Sequence, residues 1–268
     1  MWNVERERLH WVDILRGTIH TSNLSTAETH SMTVPTLVGA AHPRCDSGFV
    51  AATAEGFALV SATGILDTRL PILPADSRMN DAKCDARGRL WAGSTRRDFH
   101  HGSGALHVLH PDFSTHVVLE GLTLPNGMGW SNDGATFYLI DSIEATLSAY
   151  AFDPHTSELG SARVVRRFDA ADGTPDGLAV DDADRLWIAC WGAGRVVCIA
   201  PTGEQLLHVP VPVRQPSSCA FVGADLGQLA VTSAREGLGN LTAQSLDGSV
   251  LIIDGLNAAG QPTNTFGG

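Results

Sequence analysis

The chain has little positive charge and none of it is clustered. Its 268 residues carry 18 Lys and Arg against 29 Asp and Glu, a formal charge of −11, and no basic run exceeds Arg96-Arg97 or Arg166-Arg167. Binding a phosphate backbone needs a basic stripe, so nucleic acid is not an expected partner. Long apolar runs are missing too: nothing approaches the roughly 20 residues that span a bilayer. The opening Met-Trp-Asn-Val-Glu-Arg-Glu-Arg lacks the apolar segment of a secretion signal. A soluble cytoplasmic protein with no membrane partner is expected, on condition that no signal peptide lies upstream.

Cysteine is sparse and unpatterned. Cys45, Cys84, Cys190, Cys198 and Cys219 are odd in number and form no C-x-x-C pair, which argues against a disulfide framework or a zinc knuckle and for reduced, mostly buried thiols. There is no G-x-S-x-G elbow, H-E-x-x-H helix, phosphate-binding glycine loop or dinucleotide fingerprint. Covalent serine catalysis and nucleotide chemistry lose most of their support.

What is present is a repeat. Gly88-Arg89-Leu90-Trp91-Ala92-Gly93-Ser94, Asp184-Arg185-Leu186-Trp187-Ile188-Ala189-Cys190 and Gly227-Gln228-Leu229-Ala230-Val231-Thr232-Ser233 each put a polar turn before a short apolar strand. Weaker copies begin at Glu7, Gly48 and Gly134, and a second apolar run follows each unit, usually opened by a glycine such as Gly56, Gly104, Gly194 or Gly248. Six hairpins at a spacing of about 40 to 50 residues fit β-propeller blades rather than a helical solenoid. The expectation is an all-β chain, one domain over residues 1–268, folded as a six-bladed β-propeller of four-stranded antiparallel blades.

Before four of the repeat strands lies another apolar run headed by a polar residue: Asn80, Asn126, Asp176 and Ser218. Each precedes its repeat Leu or Phe by about the same offset, which places the four at equivalent heights of a pseudo-symmetric ring. If these runs are the innermost strands, the side chains converge on one channel mouth. A carboxylate and two carboxamides suit calcium, magnesium or manganese better than zinc. The competing reading is that Asn126-Gly127 and Asp176-Gly177 are simply turn formers. Arg78 lies two residues before Asn80, on the same side of a strand, where its fork of donors could hold an oxygen-rich substrate or an oxyanion. His100-His101 reads as an exposed loop pair or an acid/base, and Asp181-Asp182-Asp184 as a solvated turn.

At these positions the sequence resembles the gluconolactonase family, also called the senescence marker protein, regucalcin and luciferin-regenerating enzyme family of six-bladed propellers. The resemblance is carried by Trp11-Val12-Asp13-Ile14, Arg78-Met79-Asn80-Asp81-Ala82-Lys83-Cys84-Asp85, Leu124-Pro125-Asn126-Gly127-Met128-Gly129-Trp130-Ser131, Thr174-Pro175-Asp176-Gly177-Leu178, Gly192-Ala193-Gly194-Arg195-Val196 and Thr232-Ser233-Ala234-Arg235. It implies a divalent metal held by Asn126, Asp176 and a first-blade Glu, calcium foremost with zinc, manganese or magnesium as alternatives. It also implies that Arg78 and Asn80 contact a sugar lactone and that Asp176 is the base for the attacking water.

The family's Glu lies in a Gly-Glu-x-Pro-x-Trp stretch. With Trp2 as that Trp, the Glu falls upstream of Met1, so the first blade is expected to be incomplete and the last to show an open sheet edge. Without it, calcium affinity is expected at the weak end, on the order of 10⁻⁴ to 10⁻³ M. A start assigned too far downstream and a truncated, inactive relative both explain this. The expected function is metal-dependent hydrolysis of a sugar lactone by activated water. The alternative is a non-catalytic propeller that binds a metal or small ligand or scaffolds a partner.

Overall fold

The computed structural model describes all of residues 1–268 and is built from strands alone. The first sheet holds β1 (Trp2–Asn3), β2 (Arg8–Asp13), β3 (Thr18–Ser22) and β4 (Thr29–Thr33), and the second β5 (Val38–Pro43), β6 (Phe49–Thr53), β7 (Gly56–Val60) and β8 (Leu66–Pro71). The third holds β9 (Ser77–Cys84), β10 (Leu90–Arg96), β11 (Gly104–Leu109) and β12 (Thr115–Leu122). The fourth holds β13 (Pro125–Trp130), β14 (Thr136–Asp141), β15 (Thr146–Ala151) and β16 (Arg163–Arg167), and the fifth β17 (Thr174–Val180), β18 (Leu186–Trp191), β19 (Arg195–Ile199) and β20 (Gln205–Pro210). The last has three strands, β21 (Pro216–Val222), β22 (Gln228–Ser233) and β23 (Val250–Ile253). Six meanders in chain order are the blades of a six-bladed β-propeller.

Each repeat strand is the second of its sheet, and the clearest read as nearly continuous apolar runs because both their faces are covered: every residue of β6 is buried, as are Leu90 to Thr95 of β10 and Leu186 to Cys190 of β18. The fourth strands differ. β4, β8, β12 and β20 are largely exposed, which is why they left no mark in the hydrophobic pattern.

Packing divides the chain into two compact units: Met1–Asn126 with Pro154–Glu158 and Pro262–Gly268, and Gly127–Asp153 with Leu159–Gln261. In the first, Val50, Phe57 and Leu59 of the second sheet meet Met79, Leu90 and Leu109 of the third, with Phe266 from the chain's last residues inserted among them. In the second, Tyr138, Ile140 and Leu147 of the fourth sheet meet Leu178, Leu186, Ile188 and Ile199 of the fifth. Within each unit, these neighbouring sheets share one core, face to face.

The stretch Asp181-Asp182-Asp184 corrects the reading of a solvated turn. Asp182 is exposed, but Asp181 is completely buried. Its Oδ1 accepts from the backbone N–H of Ala183 and Arg185, at 3.0 and 2.8 Å, and its Oδ2 from Arg185 Nε at 2.6 Å and Trp187 Nε1 at 2.9 Å. Asp85 repeats the arrangement on the third sheet, with Arg87 and Arg89 N–H on Oδ1 and Arg89 Nε (2.6 Å) and Trp91 Nε1 (2.8 Å) on Oδ2. A buried carboxylate is tolerable only when its lone pairs are filled, and the Asp-x-x-x-Arg-x-Trp spacing fills them. The five cysteines are free thiols, with only Cys45 exposed.

Candidate functional site

Of the four equally offset positions, Asn80 and Asp176 lie on β-bulges and Ser218 lies beside one. On β9, Met79 pairs with Ser94 and Ala82 with Ala92, so Asn80 and Asp81 together face Gly93. On β17, Pro175 pairs with Cys190 and Leu178 with Ile188, so Asp176 and Gly177 face Ala189. An extra residue stands at Gly39 on β5 and at Ser217, beside Ser218, on β21. A bulge bends its strand and re-aims a side chain that regular pleating would direct elsewhere. Asn126 is the second residue of β13 and is buried.

The dipeptides Asn126-Gly127 and Asp176-Gly177 lie inside strands and are not turns. Their glycines serve close approach. A Cβ on Gly127 would sit 2.5 Å from the Asp176 carbonyl oxygen, one on Gly177 2.2 Å from Ser218 Oγ, and one on Gly39 2.3 Å from the Asn80 carbonyl oxygen. Neither Gly127 nor Gly177 has a positive φ, so the requirement is space and not backbone conformation.

Side chains then set the heights of the candidates. Arg78, half-buried, donates through Nη1 to Asn80 Oδ1 at 2.7 Å and to the Met79 carbonyl at 3.0 Å. Asn80 Nδ2 in turn donates to the carbonyl of Pro125 at 3.2 Å, the residue before Asn126. On the second unit, Ser142 Oγ donates to the carbonyl of Pro175 at 2.6 Å, the residue before Asp176. Arg78, Asn80 and Pro125 thus form one connected group, as expected of the first two. Ser142 was not singled out in the sequence, and its one visible signal is its place directly after β14, facing a Thr-Pro-Asp-Gly run.

Neighbouring charges are strongly perturbed by burial. The Asp81 carboxyl is raised by desolvation, opposed by Lys83 and by the Ala82 N–H, which donates to Asp81 Oδ1 at 2.8 Å. His42, on β5, shares a hydrogen bond of 2.9 Å between its Nε2 and the Ala82 carbonyl, and burial lowers its pKa to about 3; His10 is lowered to about 3 by the same cause. His100 and His101 lie exposed in the loop after β10, with His101 Nδ1 3.4 Å from Thr123 Oγ1. Thr123 is tied through its carbonyl to Thr95, the register partner of Arg78.

The donors at the candidate positions are oxygens: the carboxylate of Asp176 and the carboxamides of Asn80 and Asn126. That chemistry fits a hard divalent cation and offers nothing to a soft one. No group of three or more His, Cys, Asp or Glu side chains assembles to hold a metal by itself.

A six-bladed propeller with bulges in four of its first strands, two of them bearing the oxygen donors Asn80 and Asp176, is the class of protein that the fold defines. The profile of the SMP-30/Gluconolactonase/LRE-like region matches residues 1–235, and the chain belongs to that family. It is 33% identical to regucalcin of Danio rerio over 278 residues, which cover all of this chain and 93% of that protein. It is 32% identical over 243 residues to a Bacillus subtilis (strain 168) protein named "Putative sugar lactone lactonase YvrE", covering 88% and 82% of the two chains. Among solved structures, a calcium-binding protein, regucalcin, from Agrobacterium tumefaciens str. C58 superposes with a TM-score of 0.93 at 26% identity, over 99% of this chain and 92% of that one.

Proposed function

We propose that the protein hydrolyses a sugar lactone with the help of a divalent cation, calcium in the first place. The observation that carries this reading is the bulge that takes Asp176 out of the regular pleat of β17, at the position equivalent to Asn80 on β9. Membership of a family described by gluconolactonase, and the name of the Bacillus relative, support a lactone as substrate. The name of the Agrobacterium structure supports calcium.

Asn126 and Asp176 would hold the cation by their side-chain oxygens, with zinc, manganese or magnesium as the alternatives to calcium. An ion held there would supply Lewis acidity, polarising the lactone carbonyl and making water a stronger acid. Asp176 takes the proton from the attacking water as general base. Arg78 presents its guanidinium to the substrate oxygens, its plane fixed by the bonds to Asn80 Oδ1 and the Met79 carbonyl. Asn80, spanning Arg78 and the Pro125 carbonyl, orients both the fork and the strand that carries Asn126. No covalent nucleophile is needed. Cys84 is the cysteine nearest in sequence to Asn80, and burial raises its thiol far above the usual range.

The test is acid release from glucono-, galactono- and xylono-lactones with calcium, zinc, manganese or EDTA. Turnover that EDTA abolishes and Asp176→Ala suppresses is expected. Absence of metal-dependent turnover, together with an Asp176→Ala variant that behaves like the parent, overturns the proposal.

A further inference from the structure

Eleven histidines are spread along the chain. Two of them have ring nitrogens in mutual contact, and they sit on the third sheet at the hairpin between β11 and β12. Val108 pairs with His116 and Leu109 with Thr115, and the His110 N–H closes the turn on the Ser114 carbonyl at 2.9 Å. His110 lies two residues past Val108, so it shares a sheet face with His116 as its diagonal neighbour. The rings stack with centroids 5.1 Å apart and planes 27° from parallel, and His110 Nε2 is 3.1 Å from His116 Nδ1.

The hairpin that holds them is well tied. Asp112 Oδ1 accepts from Ser114 N at 3.0 Å and Ser114 Oγ at 2.6 Å, and Phe113, at φ 68°, packs its ring 6.1 Å from that of Phe266. The backbone turn that carries both imidazoles is thus held before any ligand arrives, which lowers the entropic cost of binding.

The spacing suits a metal. Two zinc–nitrogen bonds of about 2.0–2.1 Å put their nitrogens about 2.9 Å apart at a right angle and about 3.3 Å apart at the tetrahedral angle. The observed 3.1 Å falls between the two. In the metal-free hairpin one ring N–H donates to the other ring's lone pair, and a cation would replace that proton. Burial, then His110 and Arg89, lower the pKa of His116, which keeps its lone pair available near neutral pH. The charge of Arg89 is itself matched by Asp85 at 2.6 Å.

We propose that His110 Nε2 and His116 Nδ1 form a bidentate site for a borderline divalent metal ion such as Zn²⁺, Ni²⁺ or Cu²⁺. No third His, Cys, Asp or Glu completes the set, so water fills the open positions. The site stands apart in chemistry from the oxygen donors at Asn126 and Asp176, and calcium does not compete for it.

Calorimetric titration of the full chain with Zn²⁺, in buffer holding millimolar calcium, tests this, together with retention of the untagged protein on an immobilised Ni²⁺ column. One Zn²⁺ per chain is expected. His110→Gln and His116→Gln should each weaken it by at least about tenfold and shorten retention, with thermal melts unchanged. His101→Gln should change neither, and binding should fade below about pH 6 as the imidazoles protonate. A parent chain that binds no Zn²⁺, a His116→Gln variant that binds as the parent does, or binding lost through His101→Gln would each overturn the proposal.

Discussion

The two ends of a single first strand are built for different tasks. β9 carries Arg78 near its start, then Asn80 on a bulge, and is followed by Asp85, whose carboxylate is closed on Arg89 and Trp91. β17 begins with the bulge at Asp176 and is followed by Asp181, closed on Arg185 and Trp187. β5 has its extra residue at Gly39 and, near its far end, the buried His42 bonded to the Ala82 carbonyl. In each strand the starting end breaks the ladder with an extra residue, while the far end carries or is followed by a buried polar side chain hydrogen-bonded to its surroundings. Bulge and closed hydrogen-bond network are thereby separated by a few residues along one strand.

Mutations at the two ends should therefore separate rate from stability. The largest effect is expected at the starting end: Asp176→Ala should lower lactone turnover by about 10² to 10⁴-fold, the usual contribution of a general base, and leave the urea midpoint where it was. The far end should do the reverse. Asp85→Ala and Asp181→Ala each strand a guanidinium whose partner is gone, and urea unfolding should show losses of about 3–5 kcal/mol with turnover per folded molecule intact. The loss should be larger at Asp85, because the Arg89 side chain is 5% exposed and the Arg185 side chain 25%.

Gly177→Ala cuts across the division. Its Cβ would meet Ser218 Oγ at 2.2 Å and Ser218 Cα at 2.6 Å, so β17 or β21 must shift. A stability loss of about 1–3 kcal/mol and a fall in turnover are expected together, read by the same two assays. The smallest effect concerns acid. A histidine whose folded pKa is lowered from 6.5 to about 3 favours the neutral form, so its contribution is intact above pH 6.5 and is lost as the pH falls from there toward 3. At pH 5.5 His42 should account for about 1.4 kcal/mol of lost stability. His42→Gln, compared with the parent in melts at pH 7.5 and 5.5, should shrink that difference.

Much of this organisation was legible in the sequence because buried strands carry dense apolar signals. The second strands of all six sheets and the runs after them stand out, as do the equal offsets of Asn80, Asn126, Asp176 and Ser218. The bulges at Asn80 and Asp176 are invisible without the partner strand, since each is a mismatch of register between two segments. The outer strands β4, β8, β12 and β20 were illegible for the opposite reason: with exposed faces, their composition is unconstrained. Asp181 was misread because a run of aspartates resembles a solvated turn until Arg185 and Trp187 are seen folding back on it. Asn126-Gly127 and Asp176-Gly177 were open to a turn reading, and only the packing distances distinguish a glycine that bends the chain from one that lets another backbone pass.

The bonds from Asn80 to the Pro125 carbonyl and from Ser142 to the Pro175 carbonyl bear on how such a chain can change. In both cases the residue before a candidate ligand is gripped by a side chain borne on the preceding sheet. A repeat in this protein cannot drift alone: a substitution in one blade is felt as misalignment in the next. Variation in substrate preference is accordingly expected to collect in the connecting loops, such as the stretch from Asp98 to Ser103, where a residue can be exchanged without an heir.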